Sequence, residues 1–176
     1  KLVGSFEKKL SRYTGASHSI VCNSGTSAIY LAMKGINLQK NDVVIMPAIN
    51  FISSYNVVKL LGGKPILCDI DHLTGQINHE KIIECIKNNK LKKIKAIILM
   101  YNGGYVYDLK KIYNLKKKFK FYLIEDACHA LGSSYQNKKN YKIGSCKYSD
   151  ISTFSLHPLK SITTGEGGVV QTNNNE

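Results

Sequence analysis

Two periods alternate along the chain. Short, near-continuous apolar runs are separated by stretches whose apolar residues return every third or fourth position. The first kind reads as strands buried on both faces, the second as amphipathic helices. "SFEKKLSRYTG" carries Phe6, Leu10 and Tyr13 at helical spacing, with Ser5 as candidate cap and Gly15 as stop. "HSIVCNS" follows as a strand, and "SGTSAIYLAMKG" as a helix with Ala28, Leu31, Ala32 and Gly35 on one face. Strand "DVVIMPA", helix "FISSYNVVKLLGG" and strand "KPILCDI" come next. Helix "NHEKIIECIKNN", capped by Asn78, leads to strand "IKAIILMYN", helix "DLKKIYNLKKKF" and strand "FYLIEDA". "SDISTFSL" and "GGVVQTN" read as two further strands. The pattern predicts an α/β fold: a mostly parallel sheet with helices on both faces. No repeat or linker divides it, so one domain is expected. In such a sheet the site lies beyond the carboxyl ends of the strands.

Composition narrows the function. Net charge is +13, from 25 basic and 12 acidic residues, but Arg12 is the sole arginine. Nucleic-acid readers lean on arginine for bidentate contacts, so no nucleic-acid partner is expected. The lysines occur in runs such as "KNNKLKK" and "KKKFK", which read as solvated faces. Functionally, they read as a field that attracts an anionic substrate. No apolar run reaches the length of a membrane span, and "KLVGSFEKKL" has no signal-peptide core. A cytoplasmic protein with no membrane partner is expected. The five cysteines are odd in number and lack a C-x-x-C pair, which argues against a disulfide framework or zinc ribbon.

The candidate chemistry follows the strands. In "NSGTSA", Gly25 and Thr26 lie where a helix begins. Free N–H groups and the positive helix end suit a phosphate, while N-capping by Ser24 or Thr26 accounts for the same residues without a ligand. Phe51, after the second strand, is placed either to stack on a planar ring or to join the core. Asp126 ends the apolar run of "FYLIEDACHA", where a buried carboxylate needs a partner such as a protonated ring nitrogen. Capping a helix after the strand is the alternative. A metal pair with His129 lacks a third ligand at suitable spacing, so no metal is expected. In "FSLHPLKSITTGEGGVV", Lys160 has no charged neighbour nearer than Glu166, and Ser155 and His157 precede it. A phosphate cradle, a ring stacker, a buried acid, an imidazole, a serine and a lone lysine are together the equipment for holding pyridoxal 5'-phosphate.

The strings "NSGTSA", "IEDACHALGS" and "FSLHPLKSITTGEGG" resemble the signatures of the DegT/StrS-type sugar aminotransferases, pyridoxal-phosphate enzymes of fold type I. The resemblance covers nearly the whole chain. It is strongest to the branch that aminates UDP-linked 4-keto-6-deoxy-N-acetylhexosamines. It implies transamination of a nucleotide-linked keto-sugar with an amino-acid donor, glutamate, by a homodimer with a shared active site. Lys160 would be the Schiff-base lysine and Asp126 the partner of the pyridine nitrogen; these two are the catalytic pair. His129 would lie near the ring and its 3-hydroxyl, and Phe51 would stack on the ring. Gly25 and Thr26 would form the phosphate turn, to which Ser155 adds a hydrogen bond. Two departures stand out. "YNGGYVYD" replaces a His-containing segment such as "HYAG". The family's C-terminal small domain also has no counterpart here, so residues 1–176 are expected to be part of the cofactor-binding large domain. Relatives with histidine in place of Lys160 act as dehydratases. A non-catalytic regulatory protein on the same fold is the other alternative.

Overall fold

The computed structural model describes residues 1–135 and 141–175. Helices α1 (Leu2–Thr14), α2 (Gly25–Gly35), α3 (Ser53–Leu60), α4 (His79–Asn88) and α5 (Leu109–Phe119) interleave with strands β1 (His18–Cys22), β2 (Val43–Pro47), β3 (Lys64–Cys68), β4 (Ala96–Met100) and β5 (Tyr122–Asp126). Strands β6 (Ile151–Ser155) and β7 (Gly168–Thr172) follow. Among the described residues, seven strands form one sheet in the order β1-β7-β6-β5-β4-β2-β3. Neighbours from β6 across to β3 pair parallel. β7 runs antiparallel to both β6 and β1, so it alone is reversed. Its first residue, Gly168, therefore lies at the carboxyl edge, in register with Cys22 of β1 and Ser155 of β6.

Alternation along the strands divides the core into two layers. Ile97, Leu99 and Leu123 face the layer that holds α1, α4 and α5, while Ile98 and Ile124 face α2 and α3. Burying each such side chain contributes about 1.5–3 kcal/mol. β4 is buried at every position, which explains its uninterrupted apolar run. On α2 the buried face is Ala28, Ile29, Ala32 and Met33; Leu31 and Gly35, expected on that face, are exposed. The reason is tertiary: α2 packs on β6 and β7 and also against α3, which turns a wider stripe inward. Helix α1 starts at Leu2 rather than at a Ser5 cap, because Ser5 N–H already bonds the Lys1 carbonyl. Gly15 ends it as expected, at φ 88. Ser24 and Asn78 cap α2 and α4 through their side chains, accepting from Ser27 N at 3.1 Å and Lys81 N at 2.8 Å. No helix among the described residues is long and apolar enough to cross a membrane.

The reversal of β7 forces residues 156–167 to return over the carboxyl edge. The Leu156 carbonyl accepts from Thr164 N at 3.1 Å and from Thr163 Oγ1 at 3.0 Å. Leu156 N donates to the Gly167 carbonyl at 2.8 Å, and Gly165 turns the chain at φ +81. The "TTGEGG" string is thus the closure of this loop. At its end, a side chain on Gly168 would overlap the Ser24 carbonyl, and a Cβ on Gly25 would meet Ser155 Cβ at 2.9 Å. The start of α2 is wedged against the ends of β6 and β7. Replacing Gly168 by Ala is expected to destabilise the fold by about 1–3 kcal/mol, read as a lower urea midpoint.

Candidate active site

Beyond the carboxyl edge lies a cleft of about 550 Å³. Gly25, Thr26, Phe51, Asp126, His129, Ser155 and Lys160 all line it. Residues from four segments of the sequence therefore meet in one place.

The first wall is the start of α2. Ser24 Oγ satisfies Ser27 N–H, whereas the N–H groups of Gly25 and Thr26 have no acceptor among the described residues. Capping and free donors thus coexist, on neighbouring residues. Ser155 faces this turn from the end of β6, with its Oγ accepting from His157 N at 3.4 Å. Phe51 is neither core nor helical: it is 64% exposed at the rim, ahead of Ser53 where α3 begins. The Asn50 amide bonds back to the Pro47 carbonyl, bending the chain there and delaying the helix.

Asp126 is only 2% exposed. Its Oδ1 accepts from Cys128 N at 3.3 Å. No helix follows, so the alternative helix-cap role gives way to a tight turn closed by Ala130 N on the Ala127 carbonyl at 2.8 Å. Burial pushes the Asp126 carboxyl above the usual carboxylate range; the Cys128 hydrogen bonds and the Lys160 charge act the other way. Glu125 points to the opposite face, as strand alternation requires, and accepts from Tyr101 OH at 2.9 Å and Tyr135 OH at 2.8 Å. Burial also pushes the Cys128 thiol up, which removes it as a nucleophile.

His129 Nδ1 accepts from Gly103 N at 3.4 Å, which leaves the proton on Nε2. Burial, and then the nearby Lys160 charge, hold this imidazole below its ordinary pKa, so it is neutral near pH 7. Lys160 sits on the returning loop, its backbone N–H on the His157 carbonyl at 2.9 Å. It forms no ion pair among the described residues. Asn102, His157 and Glu166 also line the cleft, the last two paired at 3.8 Å. The sequence reading assigned no role to Asn102 or Glu166. Asn102 follows β4, and the strand-end rule applied to "YNGGYVYD" points to it. No group of three His, Cys, Asp or Glu side chains suited to a metal occurs among the described residues.

Comparison with known proteins decides the family. Residues 1–176 match the model of the DegT/DnrJ/EryC1/StrS aminotransferase family. The chain belongs to that family. It is 40% identical, over its whole length and 45% of the relative's, to the UDP-4-amino-4,6-dideoxy-N-acetyl-beta-L-altrosamine transaminase of Campylobacter jejuni strain 81-176. It is 34% identical to the GDP-perosamine synthase of Caulobacter vibrioides, again over all of this chain and 45% of that one. Among solved structures, Helicobacter pylori PseC, an aminotransferase of pseudoaminic acid biosynthesis, superposes with a TM-score of 0.89 at 31% identity, covering 99% of this chain and 45% of that one. Bacillus subtilis NtdA, solved with bound cofactor PMP, gives 0.88 at 33%, covering 99% and 38%. The chain thus spans less than half the length of the relatives it matches. The shared fold is the α/β fold of pyridoxal-phosphate aminotransferases, with the mostly parallel sheet that the alternating pattern led one to expect.

The raised pKa of Asp126 has a sign. Protons bound more tightly in the folded state make stability fall as pH rises through the window between the ordinary carboxylate range and the raised folded value. Asp126→Asn keeps an acceptor for Cys128 N–H but removes this titration. Without cofactor, the variant is expected to match wild type at acid pH and to exceed it above the window, in urea unfolding followed from pH 4 to 8. Burial raises the Glu125 carboxyl too, in both proteins alike, so the difference between them isolates Asp126.

Proposed function

We propose that the protein is a pyridoxal-phosphate-dependent aminotransferase that converts a nucleotide-linked keto-sugar to an amino sugar with glutamate as donor. The observation that carries this is one cleft holding an unpaired lysine, a buried carboxylate lacking a cationic contact, and a helix start with two unused N–H groups. The residues present suit the cofactor. Asp126 is costly to ionise where it stands, and a protonated ring nitrogen would repay that cost through a charge-assisted hydrogen bond. The N–H groups of Gly25 and Thr26, the Thr26 hydroxyl and the Ser155 hydroxyl line the same cleft and would serve as a phosphate cradle.

The chain's own groups divide the work. Lys160 would hold the cofactor through its amine, and the same amine is placed to move the proton at the donor's α-carbon as base and then acid. The cofactor, when bound, supplies the electron sink for that carbon. Asp126 holds the proton on the ring nitrogen. His129, neutral with its proton on Nε2, offers a donor to the ring's 3-hydroxyl. Phe51, at the rim, would cover a ring face and keep water off it. A lysine at position 160 favours aminotransfer over the dehydration performed by relatives with histidine there.

Residues 1–176 serve in this reading as the cofactor-binding large domain of a cytoplasmic enzyme. The cleft rim is apolar and open, with Ile49 51%, Phe51 64% and Leu159 86% exposed. A second copy covering this rim would form a homodimer with a shared site.

Two variants of the whole protein test the reading. Lys160→Ala is expected to lose the visible band and the borohydride-reducible link to the cofactor, together with nearly all amino-group transfer. A variant that keeps a reducible lysine adduct and normal turnover excludes Lys160. Thr26→Val combined with Ser155→Ala is expected to weaken cofactor binding by about 1.5–3 kcal/mol for each hydrogen bond lost, at unchanged folded content. Equilibrium titration with the cofactor measures it, and unaltered affinity would move the phosphate elsewhere.

A further inference from the structure

Tyr101 follows β4 directly and opens the segment that departs from the family pattern. Its backbone N–H donates to the Asp126 carbonyl at 3.2 Å, and its phenol OH to Glu125 Oε1 at 2.9 Å. One tyrosine is thus held at both ends by two consecutive residues of β5. Tyr135 OH reaches the same Oε1 at 2.8 Å and braces the carboxyl from a second side. Tyr101 is 2% exposed, with its ring in the layer on the face of the sheet away from Asp126.

The segment then turns the other way. Asn102 begins a short 3₁₀ turn and is exposed in the cleft beside Asp126 and His129. Its carbonyl and the backbone of the residues beside it are tied down. The Asn102 carbonyl accepts from Gln76 Nε2 at 3.3 Å, and Gly104 N donates to the Tyr101 carbonyl at 2.9 Å. The Gly104 carbonyl accepts from Ser133 Oγ at 2.8 Å. Gly104 itself, at φ +77, leaves room for the His129 carbonyl, which a Cβ would meet at 2.7 Å. The side-chain amide of Asn102, by contrast, has no hydrogen bond among the described residues. A fixed backbone presenting an uncommitted amide into a cleft is how a recognition group is built.

We infer that Asn102 is a specificity-determining residue for the sugar, positioned by the Glu125–Tyr101 clasp beneath the sheet; this rests on the aminotransferase reading above. The chemistry selects the sugar over the amino donor. A neutral amide donates and accepts at once, which matches hydroxyl and acetamido groups. The carboxylates of an amino-acid donor can use only its N–H half and are served better by cations.

The test separates the two halves of the reaction in the whole, cofactor-loaded protein. The first half is followed by the cofactor's absorbance with glutamate alone. The second is followed as amino-sugar formation from UDP-linked 4-keto-6-deoxy-N-acetylglucosamine or GDP-linked 4-keto-6-deoxymannose, whichever wild type turns over. Asn102→Ala is expected to raise KM for the sugar about 10- to 100-fold, the cost of one or two hydrogen bonds, with a much smaller change in the glutamate step. Tyr101→Phe removes only the phenol of the clasp and is expected to shift sugar KM in the same direction by less. Glu125→Gln keeps an acceptor for both tyrosines and is expected to restore nearly wild-type sugar KM, whereas a purely electrostatic role for Glu125 would not be rescued. A sugar KM unmoved by Asn102→Ala, or a glutamate step impaired as much as the sugar step, overturns the inference. A wild-type protein that fails the glutamate step overturns the functional reading instead, and is recognised by that failure alone.

Discussion

A missing side chain at Gly168 holds the site together. The Ser24 carbonyl occupies the space that any Cβ there would need. That close approach fixes the start of α2 against β6 and β7, and with it the direction in which the Gly25 and Thr26 N–H groups point. It also brings Ser155 across from Gly25. The reversed strand β7 then obliges residues 156–167 to arch over the same edge, which carries Lys160 to the cleft. Phosphate-binding donors and lysine are therefore placed by one packing contact rather than by two independent ones.

The two adjacent carboxylates of β5 show how strand alternation sorts chemistry. Glu125 and Asp126 are both fully or nearly fully buried, and burial raises both. On one face Glu125 meets two tyrosine hydroxyls and becomes a structural brace. On the other, Asp126 meets the backbone N–H and thiol of Cys128 alone and remains open toward the cleft. An uncompensated buried acid is destabilising, and proteins keep such strain where a ligand relieves it. Because Tyr101 grips both residues, the brace and the open acid are mechanically coupled to the loop that carries Asn102.

The element types were legible in the sequence because each period has one physical meaning: strands buried on both faces cannot alternate, and helices packed on a sheet cannot avoid a stripe. The caps Ser24 and Asn78 and the stop at Gly15 were legible for a similar reason, since these roles depend on neighbours a few residues away. The Ser5 cap and the Leu31 and Gly35 face were not, because a main-chain bond to Lys1 and the joint packing of α2 on β6, β7 and α3 decided them. The candidate site residues could be named one by one, since a lone lysine or an acid closing an apolar run is unusual in itself.

Their assembly belongs to the tertiary structure. Strand order cannot be read from a one-dimensional pattern, and the order β1-β7-β6-β5 is what sets Gly25 beside Ser155. Whether Phe51 would be core or rim depended on a bend closed by Asn50. Whether Asn102 would lie beside Asp126 depended on the register of β4 against β5, which pairs Met100 with Asp126 across a long stretch of chain. The sequence by itself determined which residues are equipped for chemistry, because that is a property of each side chain and its immediate neighbours. Only the fold decided which of them meet, because distances between segments are set by sheet order and close packing.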